Sequence, residues 1–301
     1  MAFITVTGVA KTYPSRRATT DVLRDVNLTI ERGEFVAIVG YSGSGKSTLL
    51  SILAGLVPPD SGEVTMADKR VKGPSPERGV VFQNYSLLPW LSVTGNVRLA
   101  VDRVFPQWSQ AERAEQVNKY VAMVNLTSAA NKKPSELSGG MRQRVAVARA
   151  LAMEPDVLLM DEPFGALDAL TRATLQDQLA RIWQETGRTI VLVTNDVEEA
   201  LLLADRIVPL SHGPAATLGP SIVVEAARPR RRREMNYDTD LCTARARVLE
   251  YLLQSSKRAR PTASGPRLAP SAEAAREGEL AVEVPRSDVA KEVARIEEQC
   301  A

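Results

Sequence analysis

The sequence has few of the residues that build disulfide frameworks, zinc sites or membrane spans. It contains two cysteines and one histidine in 301 residues. Cys242 and Cys300 lie far apart near the C-terminus, which argues against a disulfide scaffold or a zinc cluster and is typical of a reducing compartment. No window approaches 18 uninterrupted apolar residues, so we do not expect the chain to span a membrane by itself. The first residues, MAFITVTGVAKTY, favour a strand over a signal peptide.

The composition is that of a globular protein with a sizeable core. Hydrophobic residues make up 44 % of the chain and charged residues 25 %. The net charge of +2 gives no strong field that would attract nucleic acid. One dense basic run stands out at 228–233, and it is either a solvated loop or a segment that meets anionic lipid headgroups.

Short apolar runs alternate with helical patterns between Gly33 and Leu210. We predict strands at 35–40, 79–82, 156–161, 189–194 and 206–210. We predict helices at 46–56, 109–126, 139–153, 167–185 and 197–204, the second opening with the capping-box spacing of Ser109 and Glu112. Apolar strands separated by helices predict an α/β fold with a parallel sheet covered on both faces. Ligands bind such sheets beyond the carboxyl ends of the strands.

The character of the sequence changes after about residue 210. The stretch 211–234 is rich in loop residues, and 241–254 predicts one amphipathic helix. Residues 256–301 are rich in Ala, Arg, Glu, Pro and Ser and have no aromatic residue, so we expect a flexible tail with at most a short helix near 289–296.

The stretch GYSGSGKST at 40–48 predicts a phosphate-binding loop between a strand and a helix. Glycines let the backbone N–H groups close around phosphate oxygens, and the helix adds its positive end. Lys46 would reach the β- and γ-phosphates of a nucleotide, and the Ser47 hydroxyl would ligate Mg²⁺. The alternative is a Gly-Ser turn with an exposed lysine, which the flanking strand and helix disfavour. The predicted nucleotide-binding residues here are Gly40, Tyr41, Ser42, Gly43, Ser44, Gly45, Lys46, Ser47 and Thr48.

A second acidic motif, VLLMDEP at 157–163, ends a buried strand. A carboxylate at such a place needs a cation or a hydrogen-bond donor. Asp161 would hold Mg²⁺, directly or through water, and Glu162 would polarise the attacking water as a general base. The alternative is that the two acidic residues cap a helix.

The stretch LSGGMRQR at 137–144 resembles the LSGGQ signature of ABC-transporter ATPase subunits, with Met141 in place of the polar residue. The resemblance covers about residues 3–210. It implies a P-loop NTPase with a mostly parallel core sheet, an antiparallel β subdomain and a helical subdomain at about 84–153. The implied domains are an ABC ATPase at 1–225, a basic loop with an accessory helix at 226–255, and a disordered tail at 256–301.

The resemblance also implies roles for individual residues. Tyr13 looks like the aromatic that stacks on adenine, and Gln83 like the glutamine that contacts Mg²⁺ and water and faces the transmembrane partner. Lys46 and Glu162 take catalytic roles with Gln83. Asp168 looks like the loop residue at the interface of an ATPase dimer.

The family further implies a head-to-tail pair of ATPase subunits, identical or different. Each ATP would be held by the phosphate loop of one subunit and by the signature residues Ser138, Gly139 and Gly140 of the other. These residues open a helix and so form a second anion site. ATP and Mg²⁺ are the expected cofactors.

Asn195 stands where the family carries a histidine that contacts the γ-phosphate. Asparagine keeps a hydrogen-bond donor but carries no proton or positive charge near neutral pH. The subunit is then a slow but working ATPase, or it is paired with a second ATPase subunit that has the histidine, or asparagine suffices because Glu162 does the main work. A role of Asn195 as a helix cap is compatible with all three. His212 is expected to be a surface loop residue.

The stretch VFQNYSLLPWLSVTGNV at 81–97 resembles the nitrate, sulfonate and taurine importers, and 201–220 resembles the nitrate/nitrite branch. We therefore expect an importer ATPase, peripheral on the cytoplasmic side of the membrane, for nitrate, nitrite or a related small anion. Its partners would be permease subunits and, indirectly, an extracytoplasmic solute-binding protein, without nucleic acid. The alternatives are a sulfonate or taurine importer, a regulatory subunit with slow turnover, and a soluble ABC protein of ribosomes or DNA.

Overall fold

The computed structural model describes residues 2–14 and 19–259. The strands are β1 (Ala2–Pro14), β2 (Thr19–Glu31), β3 (Phe35–Val39), β4 (Ser61–Met66), β5 (Lys69–Arg70), β6 (Arg78–Val81), β7 (Val157–Asp161), β8 (Thr189–Thr194), β9 (Arg206–Pro209) and β10 (Ile222–Val223). The helices are α1 (Lys46–Leu53), α2 (Val93–Val104), α3 (Gln110–Met123), α4 (Gly139–Leu151), α5 (Ala169–Thr186), α6 (Val197–Leu203) and α7 (Thr239–Ala259).

The core is a six-stranded sheet with the order β10-β9-β3-β8-β7-β6. All its neighbouring pairs are parallel except β9 with β10. Every residue of β3 and of β8 is buried, because helices or the second sheet cover both faces. The predicted parallel sheet is confirmed.

A second sheet with the order β2-β1-β4-β5 is antiparallel throughout. Its apolar residues share one hydrophobic cluster with α1 and one face of β3. The helices α2, α3 and α4 pack on one another and belong to the cluster on the opposite face of the core sheet. The antiparallel and helical parts implied by the resemblance are therefore both present.

Element ends differ in places from the prediction. Helix α1 ends at Leu53 rather than at residue 56, because Gly55 adopts a left-handed φ of 74°. Helix α2 was not predicted from periodicity, and Ser92 caps it. Helix α7 runs to Ala259 and so enters the stretch predicted as tail. The rest of that tail, and the short helix proposed near 289–296, lie outside the described residues.

Two of the five arginines at 228–233, Arg228 and Arg230, are partly buried and bind neighbouring segments of the protein. The Arg228 guanidinium lies 2.8 Å from Asp205 Oδ1 and over the ring of Trp183. Arg230 donates to four backbone carbonyls, those of Leu201, Ala204, Val224 and Ala226. These bonds fasten the segment after β10 onto the end of α6.

Arg232 extends this fastening to α5, where it donates to Asp177, Gln176 and the carbonyl of Ala173. Arg231 and Arg233 are exposed and share the carboxylate of Glu234. A solvated or lipid-facing role is therefore open to these two arginines and to Arg232, which is also exposed. Among the described residues, no helix combines the length and apolar character needed to cross a bilayer.

Candidate nucleotide site

The predicted phosphate loop connects the carboxyl end of β3 to the first turn of α1. Gly43 and Gly45 have φ values of 76° and 102°, which only glycine adopts without strain. A Cβ atom on Gly45 would lie 2.8 Å from Val22 Cγ1, so the loop is also packed tightly from behind. Helix α1 begins directly after this loop, and the unpaired backbone N–H groups of a first helical turn suit anion binding.

Lys46 lies inside this loop and is only 3 % exposed. Its ammonium group donates to the carbonyls of Gly40 and Tyr41, each at 3.0 Å. It also lies 3.2 Å from Glu162 Oε1. The loop lysine and the predicted general base therefore meet at one point, although 116 positions separate them in the sequence.

Ser47 and Asp161 lie next to the phosphate loop and Lys46, and we call these residues together the nucleotide cradle. Ser47 Oγ donates to Asp161 Oδ1 at 2.8 Å. Burial raises the pKa of the Asp161 carboxyl, and the neighbouring charge of Glu162 adds to this. A bound cation would relieve that cost. Mg²⁺ is commonly held by one or two protein oxygens together with substrate phosphates, and this pair of oxygens fits such a site. No group of three or more acidic, histidine or cysteine residues suited to a metal occurs in the described part of the chain.

Glu162 has a positive φ of 40°, which is uncommon for a residue with a side chain. Its N–H donates to the carbonyl of Val193 on the neighbouring strand β8 at 2.9 Å. Strained backbone of this kind persists where the surroundings fix it, and functional sites are such places. The Glu162 carboxylate lies beside the ammonium group of Lys46.

A cavity of about 280 Å³ adjoins Glu162 at the carboxyl edge of the sheet. Its lining comes from the ends of β6, β7 and β8 and from α5 and α6. It brings three predicted site residues together, Gln83, Glu162 and Asn195. The full lining is Gln83, Glu162, Gly165, Arg172, Thr194, Asn195, Asp196 and Glu199.

Asn195 is exposed toward this cavity, and within residues 2–14 and 19–259 its side chain has no hydrogen-bond partner. The interpretation of Asn195 as a helix cap is wrong. Asp196 caps α6, since its Oδ1 accepts from the N–H groups of Glu198 at 2.9 Å and Glu199 at 3.3 Å. The Asn195 amide is therefore available to a ligand.

Glu199 is a site residue that the sequence reasoning missed. It is 5 % exposed, and its Oε2 lies 2.8 Å from Thr194 Oγ1. Burial raises the pKa of its carboxyl to about 7, with Asp196 contributing. Its spacing of three and four residues from the buried Leu202 and Leu203 was the available signal, because it places Glu199 on the inner face of α6.

The signature residues lie on a different element from the phosphate loop. Ser138 caps α4 by accepting from Met141 N–H at 3.3 Å. A Cβ atom on Gly140 would lie 2.3 Å from Thr171 Cγ2, so a side chain there would displace Thr171 of α5. Gly139 faces Leu167 nearby. The start of α4 thus lies next to the start of α5 rather than on the phosphate loop.

The remaining predicted residues lie at the edges of the site. Asp168 caps α5, and the N–H of Thr171 lowers the pKa of its carboxyl. Tyr13 is the penultimate residue of β1 and is 37 % exposed. His212 is an exposed loop residue as predicted, but its ring centroid lies 5.4 Å from that of Tyr41, a contact with the phosphate loop that the sequence did not indicate.

Comparison with known proteins gives close relatives over most of the chain. A model of the ABC transporter family matches residues 23–165. The bicarbonate transport ATP-binding protein CmpD of Synechocystis is 45 % identical over 83 % of this chain and 89 % of its own length. The nitrate import ATP-binding protein NrtD of Synechococcus elongatus is 46 % identical over 81 % and 89 %. The nitrate transport protein NasD of Klebsiella oxytoca is 46 % identical over 85 % and 98 %.

Solved structures agree with the fold. A dimeric bacterial ABC transporter cassette superposes with a TM-score of 0.66 at 35 % identity, over 74 % of this chain and all of that chain. The same cassette in a post-hydrolysis dimer bound to ADP and Pi gives 0.65 at 34 %, over the same shares. The fold, the nucleotide cradle and these relatives together show that the chain belongs to the ABC transporter family, as an ATP-hydrolysing, ATP-binding subunit.

Proposed function

We propose that this chain is the ATPase subunit of an importer for a small oxyanion, with nitrate or bicarbonate as the solute. The observation that carries this is the set of relatives at 45–46 % identity whose names specify nitrate or bicarbonate transport. Nitrate and nitrite were expected from the sequence, and the relatives add bicarbonate. Sulfonates and taurine remain the alternative solutes.

The phosphates of ATP would lie on the loop at 40–48, where the positive end of α1 and Lys46 meet them. Tyr13 would stack on the adenine. Lys46 is already held at the loop by two carbonyls, so it is oriented before ATP arrives. That arrangement reduces the cost of ordering the lysine on binding.

Ser47 and Asp161 would hold Mg²⁺, with Gln83 near it. The ion, when bound, neutralises charge on the phosphate oxygens as a Lewis acid. The 2.8 Å contact between the two side chains places their oxygens on one side of the cradle.

Glu162 would accept a proton from the attacking water, because its carboxylate faces both Lys46 and the cavity. The water oxygen then bonds to the γ-phosphorus as the bond to the β-phosphate oxygen breaks. Asn195 would donate its amide N–H to a γ-phosphate oxygen. It can orient that phosphate but cannot supply a positive charge.

The second half of each site would come from another ATPase subunit. Ser138, Gly139 and Gly140 at the start of α4 would contact the ATP of that partner, and Asp168 would lie at the interface. The dimeric cassettes at 34–35 % identity support this arrangement. The proposed ATPase unit is 1–225, and the basic segment and helix at 226–255 pack onto it through Arg228, Arg230 and Arg232.

The solute would pass through a separate membrane permease, supplied by an extracytoplasmic binding protein, and would touch no residue of this chain. The ATPase would then lie on the cytoplasmic face of the membrane. The test is uptake in vesicles that hold the subunit with its permease and binding protein. ATP-driven accumulation of labelled nitrate or bicarbonate, absent with Glu162→Gln, supports the proposal. Accumulation of taurine alone, or sedimentation of the chain with ribosomes instead of the permease, refutes it.

A regulatory subunit with slow turnover is the second candidate, and Asn195 is the observation that favours it. Losing a transition-state contact can cost on the order of a hundredfold in rate. Steady-state ATP hydrolysis by the intact complex separates the two. If the natural chain turns over and Glu162→Gln abolishes hydrolysis, the subunit is a working motor. If the natural chain hydrolyses almost no ATP and Asn195→His restores hydrolysis, the chain is a regulatory subunit. A second ATPase subunit that carries the histidine would then be its partner.

A further inference from the structure

Helix α7 packs against α6, the short helix that begins two residues after Asn195. Their contact centres on Arg245, which is 6 % exposed. Its Nε lies 2.6 Å from Glu198 Oε1 and its Nη2 lies 2.8 Å from Glu198 Oε2. This is the bidentate pairing in which a planar guanidinium fixes a carboxylate in both distance and orientation.

Both Nη nitrogens of Arg245 also have partners outside α6. Nη2 lies 3.2 Å from the carbonyl of Met235 and 3.4 Å from Asn236 Oδ1, and Nη1 lies 3.8 Å from Cys242 Sγ. The guanidinium therefore ties three pieces of chain together: α7, the turn that precedes it, and α6. A buried arginine held at so many points has little freedom to move.

Apolar packing holds α7 along its length. Leu241, Ala244, Val248 and Leu252 belong to the same buried cluster as the α6 residues. Helix α6 in turn contacts β3 and β8 of the core sheet. Helix α7 thus packs against α6 and also contacts β9 and β10 of the core sheet.

Glu198 lies in the first turn of α6, three residues after Asn195. Its own N–H is bonded to the cap Asp196 at 2.9 Å. The Asp196 N–H is bonded to Thr194 Oγ1 at 3.0 Å, and that oxygen also lies 2.8 Å from Glu199. Asn195 sits between these anchored neighbours and has no side-chain bond of its own in the described chain. Its place is therefore set by the backbone of the first turn of α6.

We propose that Arg245 is a positioning residue for ATP hydrolysis: through Glu198, helix α7 fixes the first turn of α6 and so the position of the Asn195 amide at the γ-phosphate. The inference rests on the proposed contact of Asn195 with ATP. It makes helix α7 a part of the ATPase machinery.

Removing the guanidinium leaves Glu198 with its side chain half exposed, so water can solvate the freed carboxylate. Loosening of α6, rather than unfolding, is the expected result. A misplacement of about 1 Å at a catalytic group can cost on the order of a hundredfold in rate. We expect Arg245→Ala to lower kcat about tenfold to a hundredfold, with the KM for ATP within about twofold of the natural value.

The experiment uses the full chain in the complex with its permease. Arg245→Ala, Arg245→Lys and Glu198→Gln are compared in kcat and KM for ATP, each in the natural background and together with Asn195→Ala. Arg247→Ala is the matched control, because Arg247 lies exposed on the same helix two residues away. Arg245→Lys keeps the positive charge but cannot make the bidentate contact with Glu198. It replaces Arg245→Ala in the comparison if that variant does not fold.

If Arg245 acts through Asn195, its substitution lowers kcat in the natural background and has no further effect beside Asn195→Ala. The control variant turns over normally. An equal loss in both backgrounds, or a normal kcat for all Arg245 and Glu198 variants, overturns the inference and leaves the proposed function standing. Unchanged turnover of Asn195→Ala by itself refutes the contact proposed between Asn195 and ATP, and the inference falls with it.

Discussion

Replacing Glu199 with glutamine is expected to stabilise the protein at neutral and alkaline pH and to have no such effect in acid. Glu199 is buried beside Thr194, and burial raises the pKa of its carboxyl from 4.5 to about 7. The carboxylates that face it belong to Asp196 and, across the cavity, Glu162, and the cation is Arg172 from α5. Glutamine keeps the size and can still hydrogen-bond to Thr194 and Gln176.

The direction in which the unfolding free energy changes with pH follows from proton binding. Between pH 4.5 and about 7 the folded protein holds a proton on Glu199 that the unfolded chain has lost, so its stability falls as the pH rises. The penalty is absent below the unfolded pKa and complete above the folded pKa. A difference of this size corresponds to about 3 kcal/mol of unfolding free energy above pH 7. For a protein of this length that is a shift of about 6–12 °C in the midpoint of thermal unfolding.

The assay is thermal and urea unfolding of the natural chain and Glu199→Gln from pH 4.5 to 8.5. Glu115→Gln, on the exposed side of α3, is the control for loss of one surface carboxylate. The gap between Glu199→Gln and the natural chain should open above pH 4.5 and level off above pH 7. A gap that is constant with pH, or a variant that is less stable at pH 8, would show that Glu199 is ionised at low cost and would refute the reasoning.

Three further predictions concern the cradle and the basic segment. Asp161→Asn should raise the Mg²⁺ concentration needed for half-maximal ATPase activity by about tenfold or more, since even supporting groups of a metal site cost that much; an unchanged Mg²⁺ titration would contradict the site. Gly45→Ala should weaken ATP binding by at least about tenfold in equilibrium measurements, because its φ of 102° and the contact with Val22 leave no room for a Cβ. Arg230→Ala should lower the unfolding free energy by about 2–3 kcal/mol, because four carbonyls lose a charged donor. Arg231→Ala, at the exposed neighbour, should change the unfolding free energy by less than about 0.5 kcal/mol, and equal effects of the two would show that the bonds of Arg230 contribute nothing.

Local sequence was sufficient for the phosphate loop, the core strands and the family. Each of these depends on residues close together in the chain: glycines where the backbone needs a left-handed turn, apolar runs that must be buried, and a lysine and a serine at the start of a helix. The pattern of 40–48 between β3 and α1 was thus readable without coordinates. The substitution at Asn195 was also visible, because it departs from a known motif at one position.

The sequence could not show what surrounds Asn195. Its cap role was a plausible interpretation, but Asp196 has the better geometry and takes that role. The raised pKa of the Glu199 carboxyl depends on burial. The bidentate contact of Arg245 with Glu198 joins residues 47 positions apart. A local sequence pattern shows neither the burial of a side chain nor its distant contacts.

The arginines at 228–233 also have contacts that the sequence could not show. As a string, 228–233 indicated a solvated or lipid-facing loop. In the structure Arg228 and Arg230 are partly buried against Asp205 and the carbonyls of α6, whereas Arg232 pairs with Asp177 at the surface. The sequence by itself determined the fold class and the nucleotide cradle, because backbone freedom and apolar burial are local properties. Only the tertiary structure decided which charges are paired and which amide faces the cavity, because pairing depends on what the fold brings near.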